Sequence, residues 1–122
     1  MKLSPLTVLF CLCAPMLACA AEPIRVLVWD EQQPAQKQAY ENFLGNEIAA
    51  YLSKKPDLKV TASKIDDPAQ GISEEQLQGH DIIVWWGHVR HREIPVKTGQ
   101  RIVKQIQAGK VSLIALHSAH WS

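Results

Sequence analysis

The sequence has no cysteine after residue 19; its three cysteines are Cys11, Cys13 and Cys19. The part of the chain that follows can therefore form no disulfide, no thiolate metal site and no cysteine nucleophile. The sequence also has no large excess of either charge, since it contains 13 basic and 12 acidic residues. It therefore gives no sign of the basic surface that nucleic-acid binding requires. What is present, 122 residues with 47% hydrophobic side chains, predicts one globular domain.

No apolar run is long enough for a membrane span. The run Leu6–Leu17 is shorter than the roughly 20 residues that a spanning helix needs. Lys2 precedes it and the small-residue site Ala18-Cys19-Ala20 follows it, which predicts a signal peptide over residues 1–20. The mature chain, residues 21–122, is then exported to the periplasm or secreted, without a stable membrane span. The alternatives are an uncleaved anchor and a lipoprotein attached through Cys19.

Apolar runs and helical spacings alternate along the mature chain. They predict strands near residues 24–29, 58–65, 81–87 and 112–116, the second near an edge and the last two buried on both faces. Helices are predicted near residues 37–53 and 97–108, with a short helical turn that starts at Ser73 and carries a capping box with Gln76. This alternation predicts an α/β fold with a parallel sheet, for which a flavodoxin-like strand order 2-1-3-4 is expected.

The fourth strand ends the predicted pattern without a helix to cover it. An apolar inner strand left at the edge of a four-stranded sheet would be exposed. We therefore expect the chain to be the N-terminal portion of a longer protein. The alternative is a complete small domain.

Four of the five histidines follow the predicted carboxyl ends of strands three and four: His88, His91, His117 and His120. Ligands of open α/β sheets bind at that edge, so a shared polar site is predicted there. The two His-x-x-His pairs have spacing compatible with a divalent metal such as zinc, and Asp30 or Glu93 could complete the shell. A metal-free site using histidine as acid or base is equally compatible, and a single histidine can be a hydrogen-bonded loop residue.

Aromatic and hydroxyl groups extend the predicted site. Trp29 and Trp121 lie at strand ends, where a ring could form a platform for a sugar, whereas Trp85 and Trp86 alternate within a strand and are expected in the core. Ser118 follows His117, but no Gly-x-Ser-x-Gly elbow surrounds it. It is therefore predicted to contact substrate rather than to attack it.

Three blocks of the sequence resemble the ThuA-like family, named for a trehalose-utilisation protein. They are IRVLVWD (residues 24–30), DIIVWWGHVRHRE (residues 81–93) and LIALHSAHWS (residues 113–122). The resemblance implies a three-layer sandwich like that of class I glutamine amidotransferases, and a role in trehalose or related disaccharide metabolism. The turn that would carry the amidotransferase nucleophile, around Ser118, has no cysteine, so glutaminase chemistry is not expected.

Two functions follow as hypotheses. The first is an exported enzyme of carbohydrate utilisation, with His117, His88 and Glu93 as catalytic groups and Trp29, Asp30, Ser118 and Trp121 as substrate contacts. In that hypothesis His88, His91, His117 and His120 hold any metal. The second is a non-catalytic sugar-binding or accessory domain on the same fold.

Overall fold

The computed structural model describes residues 21–116. Four strands alternate with helices along this part of the chain. The strands are β1 (Ile24–Asp30), β2 (Leu58–Lys64), β3 (Ile82–Trp86) and β4 (Ser112–Ala115), and the α-helices are α1 (Leu44–Leu52), α2 (Glu74–Gly79) and α3 (Val96–Gln107). Short 3-10 turns over Pro34–Gln38, Pro68–Gly71 and His91–Glu93 lie in the connections.

The strands form one parallel sheet with the order β2-β1-β3-β4. This confirms the predicted α/β class, the parallel sheet and the strand order. β1 lies between β2 and β3, and its last residue, Asp30, is in register with Lys64 on one side and Trp86 on the other. The strand order reverses between β1 and β3, which is where open α/β sheets bind ligands beyond their carboxyl ends.

Each face of the sheet is covered by helix. On one face Val26, Val28 and Val84 pack with Ala49 of α1. On the other face a larger cluster joins the sheet to α2 and α3; it contains Leu27, Trp29, Ile65, Ile72, Leu77, Ile83, Trp85, Ile102 and Val111. The layers are therefore helix, sheet and helix, because alternate residues of β1 and β3 point to opposite faces.

Helix α1 is shorter than its apolar spacing predicts. It begins at Leu44 instead of near residue 37, after a 3-10 turn and Phe43, whose φ is 60°. The helical spacing of apolar residues predicts Tyr51 on the buried face, but Tyr51 is 60% exposed. The start of the helix is set by Asp30, whose carboxylate accepts a hydrogen bond from the Gly45 backbone nitrogen. The capping box of Ser73 and Gln76 at α2, a purely local motif, is confirmed.

Strand β4 is exposed along its whole length, as expected for an apolar strand left at the edge of a four-stranded sheet, although its apolar run alone predicts burial on both faces. Leu113 and Ile114 are 42% and 47% exposed, because among residues 21–116 β4 pairs with β3 alone. The apolar spacing of α3 predicts Ile102 and Val103 in the core, but Val103 is 51% exposed. Within residues 21–116, none of the helices has the length and apolar character needed to cross a membrane.

Candidate functional site

The carboxyl edge of the sheet is organised by two acidic residues at the end of β1, Asp30 and Glu31. Both are buried, with exposures of 1% and 0%. A buried carboxylate is costly unless hydrogen-bond donors surround it. The partners of these two side chains therefore show what holds this edge together.

Asp30 binds the first turn of α1. Its Oδ2 accepts a hydrogen bond from the Gly45 backbone nitrogen at 2.7 Å, and its Oδ1 accepts from Gln32 N at 2.7 Å and Gln36 Nε2 at 2.8 Å. Gln36 in turn accepts from Leu44 N at 2.9 Å. A carboxylate at a helix N-terminus satisfies otherwise unpaired N–H groups and complements the helix dipole. Asp30, predicted to contact substrate, here fixes α1 and the segment after β1.

Glu31 holds the loop that follows β3. Its Oε1 accepts from Val89 N at 2.9 Å, and its Oε2 accepts from Val89 N at 3.1 Å and Arg90 N at 2.8 Å. Its own backbone nitrogen donates to Trp86 O at 3.2 Å. Because His88 lies between Trp86 and Val89, both ends of its loop are fixed to one buried residue.

Sequence reasoning missed Glu31. The available signal was a second acidic residue directly after a buried strand, at the strand-order reversal of the expected sheet. The strand pattern predicts Asp30 as a site residue but not Glu31. Nothing local in the sequence indicates that a loop nearly sixty residues later supplies the hydrogen-bond donors to Glu31.

Arg90 is the second fixed point of this loop. Its Nε and Nη2 donate to Glu93 at 2.9 and 2.7 Å, and its Nη1 and Nη2 donate to Asp66 at 3.1 and 2.7 Å. Nη1 also donates to Glu31 O at 3.1 Å. A guanidinium has five N–H donors, and these contacts use all of them. Arg90 therefore ties the loop after β3 to the ends of β1 and β2.

Glu93, predicted as a catalytic group, is one of the two carboxylates that Arg90 binds. The Arg90 hydrogen bonds lower the pKa of Glu93 and also that of Asp66, while Glu93 and then Asp66 raise the pKa of Arg90. Glu93 is thus an ionised carboxylate at neutral pH. In this arrangement it orients the loop and is poorly suited to donate a proton.

His88 and His91 lie at the carboxyl edge, as predicted, in different environments. His88 is exposed, and its ring stacks near Trp86 with centroids 6.5 Å apart. His91 is half-buried at the start of a 3-10 turn, and its Nδ1 is buried without a hydrogen-bond partner among residues 21–116. It lines an open groove of about 640 Å³ beside α3 with Ile94, Val96 and Val103. His88 is therefore the histidine most accessible to a ligand in this loop.

Trp29 does not form an exposed platform, which corrects its expected place at the rim. It is 1% exposed, its ring stacks on Trp85 with centroids 3.9 Å apart, and its Nε1 donates to Gln70 O at 2.7 Å. The side chain points into the α2 and α3 face of the sheet because alternation along β1 places it with Leu27. The expected burial of Trp85 is confirmed.

The remaining predicted site residues, His117, Ser118, His120 and Trp121, lie outside the described residues, as does the predicted signal peptide. The four-histidine metal set therefore has two members in the described part. Within residues 21–116 no group of three or more His, Cys, Asp or Glu side chains could hold a metal ion. Imidazole suits zinc, and His88 and His91 are the described groups that would contribute to such a site.

Comparison with known proteins assigns no family. Neither the protein-family models nor the curated proteins contain a match to this chain. The fold and the site therefore rest on the geometry given above.

Proposed function

We propose that this protein handles a disaccharide such as trehalose at the carboxyl edge of its sheet, on a flavodoxin-like sandwich of the class I glutamine amidotransferase type. It does so as an exported protein, periplasmic or secreted, as the N-terminal sequence pattern predicts. The strand order and the parallel sheet support the fold. The resemblance of residues 24–30, 81–93 and 113–122 to the ThuA-like family supports the substrate class.

One observation carries the location of the site. Glu31, at the end of β1, fixes the exposed His88 loop at the end of β3 through its hydrogen bonds to Val89 and Arg90. The two strands meet where the strand order reverses, the position at which open α/β sheets bind ligands. A histidine held there can donate or accept a hydrogen bond with a sugar hydroxyl, or transfer a proton at neutral pH.

Each described residue at the carboxyl edge of the sheet has its own proposed role. His88 faces the ligand, Asp30 and Glu31 position the main chain, and Glu93 with Arg90 stabilises the loop. His117, Ser118, His120 and Trp121 are proposed to complete the site from the end of β4. A divalent metal held by the histidines would supply Lewis-acid polarisation when bound.

A sugar-binding domain without turnover is the second candidate function. This candidate is favoured because the acidic side chains of the carboxyl edge are already hydrogen-bonded within the protein. Asp30 and Glu31 are buried among hydrogen-bond donors, and Glu93 is paired with Arg90. Arg90 lowers the pKa of Glu93, so this carboxylate is a weak proton donor at neutral pH. Binding of trehalose without product formation would support this candidate.

The test is calorimetric titration of trehalose, with parallel chromatography of the sugar to detect products. Replacement of His88 by alanine should weaken binding at least tenfold and abolish any turnover. His80→Ala is the matched control, because His80 contacts Gln76 O at the end of α2 and precedes β3, at the opposite edge of the sheet. Equal affinity of the His88→Ala variant and the wild type would contradict the proposed site.

A further inference from the structure

A small polar pocket lies at the carboxyl ends of β1 and β2. Its volume is about 220 Å³, and it is lined by Gln32, Asn46, Ala62, Ser63, Lys64 and Asp67. Because side chains alternate along β2, Ala62 and Lys64 lie on the α1 side of the sheet with Val60. The lining therefore includes two residues with side-chain amides, a lysine and an aspartate.

The charges of the pocket balance. Lys64 is cationic and Asp67 is anionic, and Asp67 Oδ2 accepts a hydrogen bond from the Lys64 backbone nitrogen at 3.0 Å. A pocket without net charge selects neither an anion nor a cation. Amide groups both donate and accept hydrogen bonds. Asn46 Nδ2 donates to Asn42 Oδ1 at 3.1 Å, so Asn46 would offer its oxygen and Gln32 its whole amide to a neutral ligand with several hydroxyl groups.

The walls of the pocket are fixed by Asp30. Its carboxylate binds Gln32 N on one side and Gly45 N, directly before Asn46, on the other, both at 2.7 Å. Gln32 is held with φ at 49°, a conformation that is costly for a residue other than glycine. Asp30 therefore fixes the main chain at Gln32 and directly before Asn46, which reduces the ordering cost of binding there.

We propose that this pocket binds one ring of a neutral sugar, through Gln32, Asn46 and Lys64, with Asp30 as a positioning residue. The inference rests on the proposed function, whose site it extends. β2 and β3 flank β1, so the carboxyl ends of β2 and β3 lie two strand spacings apart, about 10 Å. The two rings of a disaccharide can span this distance, with one ring in the pocket and the other at His88.

The experiment is a calorimetric titration of the protein with trehalose and, separately, with glucose. Asn46→Ala and Lys64→Ala should each weaken trehalose binding about tenfold, the effect of losing hydrogen bonds to the ligand. Lys59→Ala is the matched control, because Lys59 is an exposed lysine at the other end of β2, where it lines a separate cavity with Arg25 and Asp81. Each variant is first shown to keep the wild-type melting temperature.

The outcomes separate the pocket from the proposed function. Loss of affinity in Asn46→Ala and Lys64→Ala, but not in Lys59→Ala, supports the pocket. Trehalose binding that depends on His88 but is unchanged in both pocket variants overturns the pocket and leaves the proposed function standing. Trehalose binding that depends on the pocket residues but not on His88 supports the pocket and overturns the proposed role of His88. Absence of sugar binding by the folded protein overturns both.

Discussion

Glu31 and Arg90 bind each other through both main chain and side chain. The Glu31 carboxylate accepts from Arg90 N at 2.8 Å, and the Arg90 guanidinium donates to Glu31 O at 3.1 Å. The two residues are 59 positions apart in sequence, and they join the end of β1 to the loop after β3. The position of His88 at the strand-order reversal depends on this reciprocal contact.

Replacing Glu31 by glutamine tests that contact. Glutamine retains one oxygen but places an amide NH₂ against the N–H groups of Val89 and Arg90, so we expect the free energy of unfolding to fall by about 2–4 kcal/mol. Denaturant unfolding measures the change. Glu41→Gln, at an exposed position, is the control and should alter stability little. A Glu31→Gln variant as stable as the control would show that the carboxylate does not hold the loop.

Gly45 permits the close approach of Asp30 to α1. A Cβ atom at Gly45 would lie 2.5 Å from Asp30 Cβ and 2.8 Å from its Oδ2, so Gly45→Ala should destabilise the protein by about 1–3 kcal/mol. Gly99→Ala on α3 is the matched control, since nothing lies within 4 Å of the added Cβ. There alanine should stabilise the helix by about 0.5–1 kcal/mol. Thermal unfolding of both variants checks the opposite signs.

The exposed pair of Arg25 and Asp81 at the amino edge predicts a pH dependence. Hydrogen bonds from the Arg25 side chain and backbone lower the pKa of Asp81 to about 2. Because the folded-state pKa is depressed, the pair contributes stability above the unfolded pKa of about 4 and loses it as the pH falls toward 2. NMR titration of Asp81 should show its pKa rising in Arg25→Met, and an unchanged pKa would refute the contact.

Replacing Arg90 should change the pKa values of two carboxylates at the carboxyl edge, Glu93 and Asp66. Arg90→Lys replaces five fixed donors with a compact ammonium group that cannot bind two carboxylates in a bidentate way. The pKa of Glu93 and that of Asp66 should therefore rise toward their ordinary values, and the Val89 amide should exchange faster with solvent. NMR titration and hydrogen exchange measure both effects. If both pKa values stay low in Arg90→Lys, the hydrogen bonds of the guanidinium group do not set them.

Local patterns predicted the sheet and helix α3 well and the start of helix α1 poorly. The apolar runs that became β1 and β3 are long and continuous, and burial between two helical layers is what such runs specify. The start of α1 could not be predicted in this way, because Asp30 and Gln36 bind its first turn from outside the helix. The burial of β4 was overestimated, since an apolar run predicts a strand but not its neighbours in the sheet.

The sequence predicted which edge of the sheet carries the candidate site, but it did not predict the contacts that the residues of this edge make. His88 and His91 do lie at the carboxyl edge, because parallel strands bring their ends together. Trp29 and Asp30 were assigned to substrate from their position at a strand end, yet burial gives them structural partners instead. Glu31 was missed because its partners belong to a loop that only the folded sheet brings near.

Sugar binding at the carboxyl edge of the sheet is tested most directly by NMR mapping of backbone amides in the ¹⁵N-labelled protein during titration with trehalose. We expect the perturbed amides to cluster at residues 30–33, 45–47, 64–67 and 87–93, and amides near Arg25, Lys59 and Asp81 to stay unchanged. Perturbations confined to that opposite edge, or none in the folded protein, would contradict it.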